Sequence, residues 1–217
     1  MEEPIVDDYV TRAIIIKPTN FEQYTAVMLT FITDVIPRSA GHAGPLEPES
    51  NIIKNELYNL NRLDCVTVNS QPYEEFTDDD ENIYRQRPFV SLFYPRRKIN
   101  QLMQLLKNEP MLITVYAPGT GVISYNPILY DDMAGDSGYI PLLQQKENDI
   151  WVDARDGDSI FFNKEYMEEM FMELQWTNDD MYVYGYQNLV MVEIIGLNFD
   201  NEMFNQLERA AHTLFFD

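Results

Sequence analysis

The feature that most constrains this chain is the alternation of short apolar runs at strand length with stretches whose apolar residues recur at helical spacing. Val10–Ile16, Asp64–Asn69, Phe89–Tyr94, Met111–Ala117, Val122–Tyr125, Ser159–Phe162 and Leu189–Ile195 read as strands, the last of them of the buried type. Between them, Thr19 or Asn20 caps a helix expected over Phe21–Ile36, with Phe21, Tyr24, Met28, Phe31, Ile32 and Val35 along one face and Pro37 ending it. Further helices are predicted over Glu49–Arg62, near Arg96–Lys107, from Asn163 to about Trp176, and over Phe199–Leu214. Strands interleaved with helices predict an α/β or α+β fold, a single domain with a mixed central sheet covered by helices.

The size agrees with one core. A chain of 217 residues that is 45% hydrophobic and 13% aromatic has ample material to bury and is not a disordered segment. Its one cysteine, Cys65, excludes an intrachain disulfide. The chain begins Met-Glu-Glu-Pro, without a charged-then-apolar leader, and no apolar run approaches membrane-spanning length. A cytoplasmic protein without a membrane partner is expected.

Charge is the strongest compositional signal. The net charge is −21, which disfavours direct nucleic-acid binding and favours basic partners. The charge is also uneven. Residues 82–107 contain Arg85, Arg87, Arg96, Arg97, Lys98 and Lys107 and no acid, and taking that +6 from −21 leaves −27 on the other 191 residues.

The usual reactive constellations are missing from the pattern. His42 and His212 are the only histidines, neither in metal-ligand spacing, and Cys65 has no cysteine partner, so no metal and no cofactor is expected. Cys65 lies in an apolar run and reads as a core residue, not a thiolate nucleophile. Asp153, Asp156 and Asp158 are wrongly spaced for an EF-hand loop. Gly119-Thr120-Gly121 lacks the glycines and lysine of a phosphate loop and reads as a hairpin turn.

One segment is more informative. Leu60–Pro72 runs from a helix into a strand and then into the polar Asn69-Ser70-Gln71 at the strand's C-terminal end, the edge where ligands gather in open sheets. Arg85 and Arg87 follow it, and with Asn69, Ser70 and Gln71 they form a candidate site for a small anion. An ordinary connection, with Arg87 paired to an acid or a backbone carbonyl, accounts for the same residues. The helix start Pro48-Glu49, the run Leu60-Asn61-Arg62, Thr67-x-x-Ser70-Gln71-Pro72 and Gln86-Arg87-x-x-Val90 together resemble a family of functionally uncharacterised small domains of bacteria and large DNA viruses. The resemblance covers about Glu49–Val90 and implies a possible site without implying a reaction. Tyr73 stands where the family pattern has glycine.

The second signal is acidic. Glu165, Glu169 and Glu173 recur at i, i+4 on the helix that follows Asn163, with Glu168 beside them, and such like-charge neighbours oppose helix formation. Residues 140–217 carry four basic and sixteen acidic side chains, a net of −12. Such a face either keeps the chain soluble or meets a basic surface. The leading expectation is a non-enzymatic binding or regulatory protein that engages a basic protein partner through this half. The alternative is a small enzyme or ligand-binding domain with its anion pocket at Ser70, Gln71 and Arg87.

Overall fold

The computed structural model describes residues 18–36, 45–124, 140–154, 159–160, 167–169, 171–172, 174 and 178–216. Helix α1 is Phe21–Ile32, α2 is Lys54–Arg62, α3 is Ile99–Leu106, α4 is Asp179–Asn188 and α5 is Glu202–Phe215. Strands β1 (Val66–Gln71), β4 (Phe89–Pro95), β5 (Met111–Ala117), β6 (Gly121–Ser124) and β11 (Leu189–Gly196) form a five-stranded sheet in the order β1-β4-β11-β5-β6. A smaller sheet has the order β2-β3-β8-β9, from Glu74–Thr77, Ile83–Gln86, Leu143–Glu147 and Ile150–Asp153. β7 (Ile140–Pro141) pairs with β10 (Ser159–Ile160).

The class is α+β. Every ladder among the described residues is antiparallel, which corrects the expected mixed sheet. The correction has a simple origin: β1 leads to β4 through a hairpin excursion, and β5 turns directly into β6. Thr120 N–H donates to Ala117 O at 3.0 Å in that second turn, and Gly119 and Gly121 adopt φ of 75° and 88°.

β4, β5 and β11 are buried along their whole length because helices cover both faces of the sheet. On one face Phe93 packs against Tyr24 of α1 and Phe171, and Phe171 also meets Tyr116 and Tyr182 of α4. On the other, α5 comes up against Gly196, where an added Cβ would stand 2.6 Å from Pro88 Cγ and 3.4 Å from Met203. Any side chain there would force the Pro88 ring to shift.

Several helix boundaries differ from the sequence reading. α1 stops at Ile32, not Ile36, because Asp34 turns to φ 59° and the Val35 N–H closes back on Thr30 O, five residues earlier. Pro48–Ile53 is a 3₁₀ turn before α2, and Arg96–Lys98 a 3₁₀ turn before α3. α5 starts at Glu202, so Phe199 lies in the preceding loop. Helix α4 and strands β2, β3, β8 and β9 were not foreseen. The expected strand Val10–Ile16 lies outside the described residues, as do His42 and most of the helix from Asn163.

Candidate functional site

The Ser70–Gln71 region is a corner of the fold. β1 and β4 leave the large sheet at Pro72 and Pro88 and continue as β2 and β3 of the small one, with register passing from Gln71↔Phe89 to Glu74↔Gln86. Two prolines without N–H groups interrupt the ladder at the bend. Two glutamines bridge it instead: Gln71 Nε2 donates to Arg87 O and Gln86 Nε2 donates to Pro72 O, both at 3.0 Å. Tyr73 N–H donates to Asn201 Oδ1 at 2.7 Å, tying the bend to the loop before α5.

Both arginines of the motif are anchored to that same loop. Arg87 donates from Nη1 to Leu197 O at 2.8 Å and lies 4.3 Å from the centre of the Phe199 ring. Arg85 lies between Phe199, at 3.6 Å, and Trp151, at 4.4 Å, and donates to Gln144 Oε1 at 2.8 and 3.1 Å. Burial is the main influence lowering the pKa of both guanidiniums from the ordinary arginine value. Asn69 is exposed beside an irregularity in β1, opposite Ser91, and Ser70 is half-buried opposite Val90. Gln71 reaches the Arg87 backbone and not its guanidinium. No hydrogen bond among the described residues joins the Asn69 or Ser70 side chain to either arginine.

Of the acidic residues singled out in the sequence, Glu168 and Glu169 are exposed on a helical stretch whose Met167, Phe171 and Leu174 are buried. Glu168 also meets the Tyr116 phenol, whose pKa is pushed up to about 12, by burial first and by this carboxylate second. Glu165 and Glu173 lie outside the described residues.

Two further sites were not read from the sequence. Glu193, at 0% exposure, is the one buried carboxyl among the described residues, placed in β11 between Ser91 of β4 and Thr114 of β5. Ser91 Oγ donates to Glu193 Oε1 at 3.1 Å, while Glu193 Oε2 and Thr114 Oγ1 have no partner among the described residues. Burial raises the Glu193 pKa to about 7 against the opposing pull of Ser91. A lone glutamate inside an otherwise apolar strand was the available signal.

The other is an open cleft of about 680 Å³ at the far end of β4, between the first turn of α1 and the last turns of α2, α4 and α5. Arg62, Arg96 and Arg97 line it, together with the rings of Phe21, Tyr184 and Phe215. Asp64 and Glu22 are its acids, and Lys98 stands against Asp64 at 3.4 Å. Apart from Lys107, which follows α3, the basic island of the sequence is therefore two clusters, one at each end of a seven-residue strand.

Cys65 is enclosed, and burial pushes its thiol far above the ordinary range, as fits a core residue. Among the described residues no three His, Cys, Asp or Glu side chains group to hold a metal, and no helix is long and apolar enough to cross a membrane.

An α+β domain with a clasped corner and an arginine-lined cleft is thus the class that fold and geometry define. The chain belongs to a family described as a domain of unknown function (DUF6919), which matches residues 17–134, more than half its length. That span holds α1 to β6, including the corner and Arg62, Arg96 and Arg97 of the cleft. No curated protein matches the chain.

Proposed function

We propose that this is a non-enzymatic binding protein whose acidic surface engages a basic protein partner. The observation that supports it is the acid surplus. The chain has 36 acidic and 15 basic side chains, so even complete one-to-one pairing would leave 21 carboxylates without a cation. Glu193 is the only carboxyl buried among the described residues, so the others there lie at or near the surface. A surface of one sign raises encounter rates with an oppositely charged partner and makes association sensitive to salt. The bacterial or viral setting implied by the Ser-Gln-Pro resemblance belongs to this reading.

The test is recovery of partners from cell extract at low and physiological salt, followed by association kinetics with the recovered protein. Glu168→Gln/Glu169→Gln should slow association, and added salt should reproduce the loss through screening over roughly 8–10 Å. Association indifferent to both would refute the reading.

A further inference from the structure

We propose that the cleft at the Arg96 end of β4 is a binding site for a small organic phosphate carrying a flat ring, of mononucleotide size. This goes beyond the proposed partner binding and uses none of the glutamates named for it.

The argument begins with charge. In a chain with more than twice as many acids as bases, arginines that serve only solubility or stability have carboxylates available on every side. Yet Arg62, Arg96 and Arg97 form no ion pair among the described residues, although Lys54, Lys98, Lys146 and Arg209 do. Arg96 gives one hydrogen bond, to Thr120 Oγ1 at 3.1 Å. Three guanidiniums from two separate segments thus line one concavity with donors to offer, and a guanidinium fork matches the oxygens of a phosphate.

A competing account is that cations gather here to offset the carbonyl ends of α2, α4 and α5. Lys98 already fills that role for α5: its ammonium donates to Leu214 O at 3.2 Å and pairs with Asp64. The arginines form no such bond to a carbonyl among the described residues.

The apolar part of the lining defines the rest of the ligand. Phe21 is buried, whereas Phe215 remains 41% exposed and Tyr184 half-buried. Rings beside cations suit a planar group attached to an anion. The volume of about 680 Å³ is of the size that takes small ligands and exceeds what inorganic phosphate alone would fill.

The experiment is calorimetric titration of the full chain with AMP, with inorganic phosphate and adenosine in parallel. AMP should bind more tightly than either fragment. Arg96→Gln/Arg97→Gln should weaken AMP by about tenfold or more, and Arg62→Gln should also weaken it. Arg209→Gln, which removes an exposed arginine of α5 away from the cleft, should change affinity less than twofold. Melting temperatures establish that each variant folds. Absence of AMP binding at millimolar concentration overturns the proposal, and so does equal loss in Arg209→Gln. Adenosine binding as tight as AMP overturns the anion site, and phosphate binding as tight as AMP overturns the ring-bearing class.

Discussion

The two ends of β4 carry the same residue type from the same basic stretch of sequence and put it to opposite uses. At the Phe89 end, Arg85 and Arg87 lie against Phe199 and Trp151 and bond to Gln144 and the Leu197 carbonyl. At the Pro95 end, Arg96 and Arg97 edge an open cleft and one bond to Thr120 is all they form among the described residues. Proximity in sequence therefore says little about shared function when a strand stands between. Arg87 and Arg96 are nine positions apart, with eight residues between them, about 30 Å of extended chain at the usual strand rise. What distinguishes the two ends is partners: the half-buried Arg85 and Arg87 are fastened to rings and to amide or backbone oxygens, whereas half-buried Arg96 and exposed Arg97 keep most of their donors unused among the described residues.

The strongest test of how the strand between them is held concerns its middle, where Ser91 faces Glu193. Burial raises the Glu193 pKa from 4.5 to about 7, so folding favours its protonated form. The associated stability is fully present below about pH 4.5 and is lost as pH rises through about 7. A shift of that size corresponds to about 3 kcal/mol. Glu193→Gln keeps the shape without the charge, so the difference between variant and parent stability should grow from pH 4.5 to 7 and then level off. Denaturant melts across that range give the comparison. A constant difference would mean that Glu193 titrates normally in the folded chain.

Next in size is the corner. Arg87→Ala removes a hydrogen bond and a ring contact from a half-buried side chain, and should cost about 2 kcal/mol. Gln71→Ala and Gln86→Ala each free one backbone carbonyl at the bend and should cost about 1 kcal/mol. If Arg87→Ala instead left the melting temperature unchanged while abolishing binding of AMP or phosphate, the contrast between the two ends would fail, and the site first suggested by Ser70 and Gln71 would return.

The central sheet and its helices were legible because burial on both faces leaves long apolar runs, and amphipathic helices leave a stripe. β5 runs from Met111 to Ala117 as expected, and β4 and β11 each differ by one residue at the end. The small sheet was illegible for the complementary reason. Glu-Glu-Phe-Thr in β2 and Leu-Gln-Gln-Lys-Glu in β8 are exposed or half-buried and carry neither a continuous apolar run nor clean alternation. Helix α4 has two acids, a glycine and several aromatics where helix formers would be expected, so propensity argues against it. Tertiary packing decides there: a Cβ at Gly185 would lie 2.7 Å from Leu174 Cδ1. At the corner, Gln71, Gln86 and Arg87 were singled out as an unusual motif, but their targets are backbone carbonyls, which no side-chain pattern announces. The cleft was hidden because Arg62 and Arg96 belong to different elements, and Arg62 is placed only by the packing of α2 against α5 and β1.

The smallest expected effect is the one that most sharply separates the two ends. Arg97 is exposed and has no hydrogen bond or ion pair among the described residues, and Arg96 has its one bond to an exposed threonine. Replacing both by Gln removes two charges from a chain that is already strongly acidic, so long-range attraction to surrounding carboxylates is lost, but solvent screens most of it. The stability change should therefore stay within about 0.5 kcal/mol, well below that of Arg87→Ala. Denaturant melts of the two variants in the same buffer measure the ratio. A double variant as destabilised as Arg87→Ala would show that the Pro95-end arginines hold the ends of α2 and α5 together, and would make the cleft a structural seam.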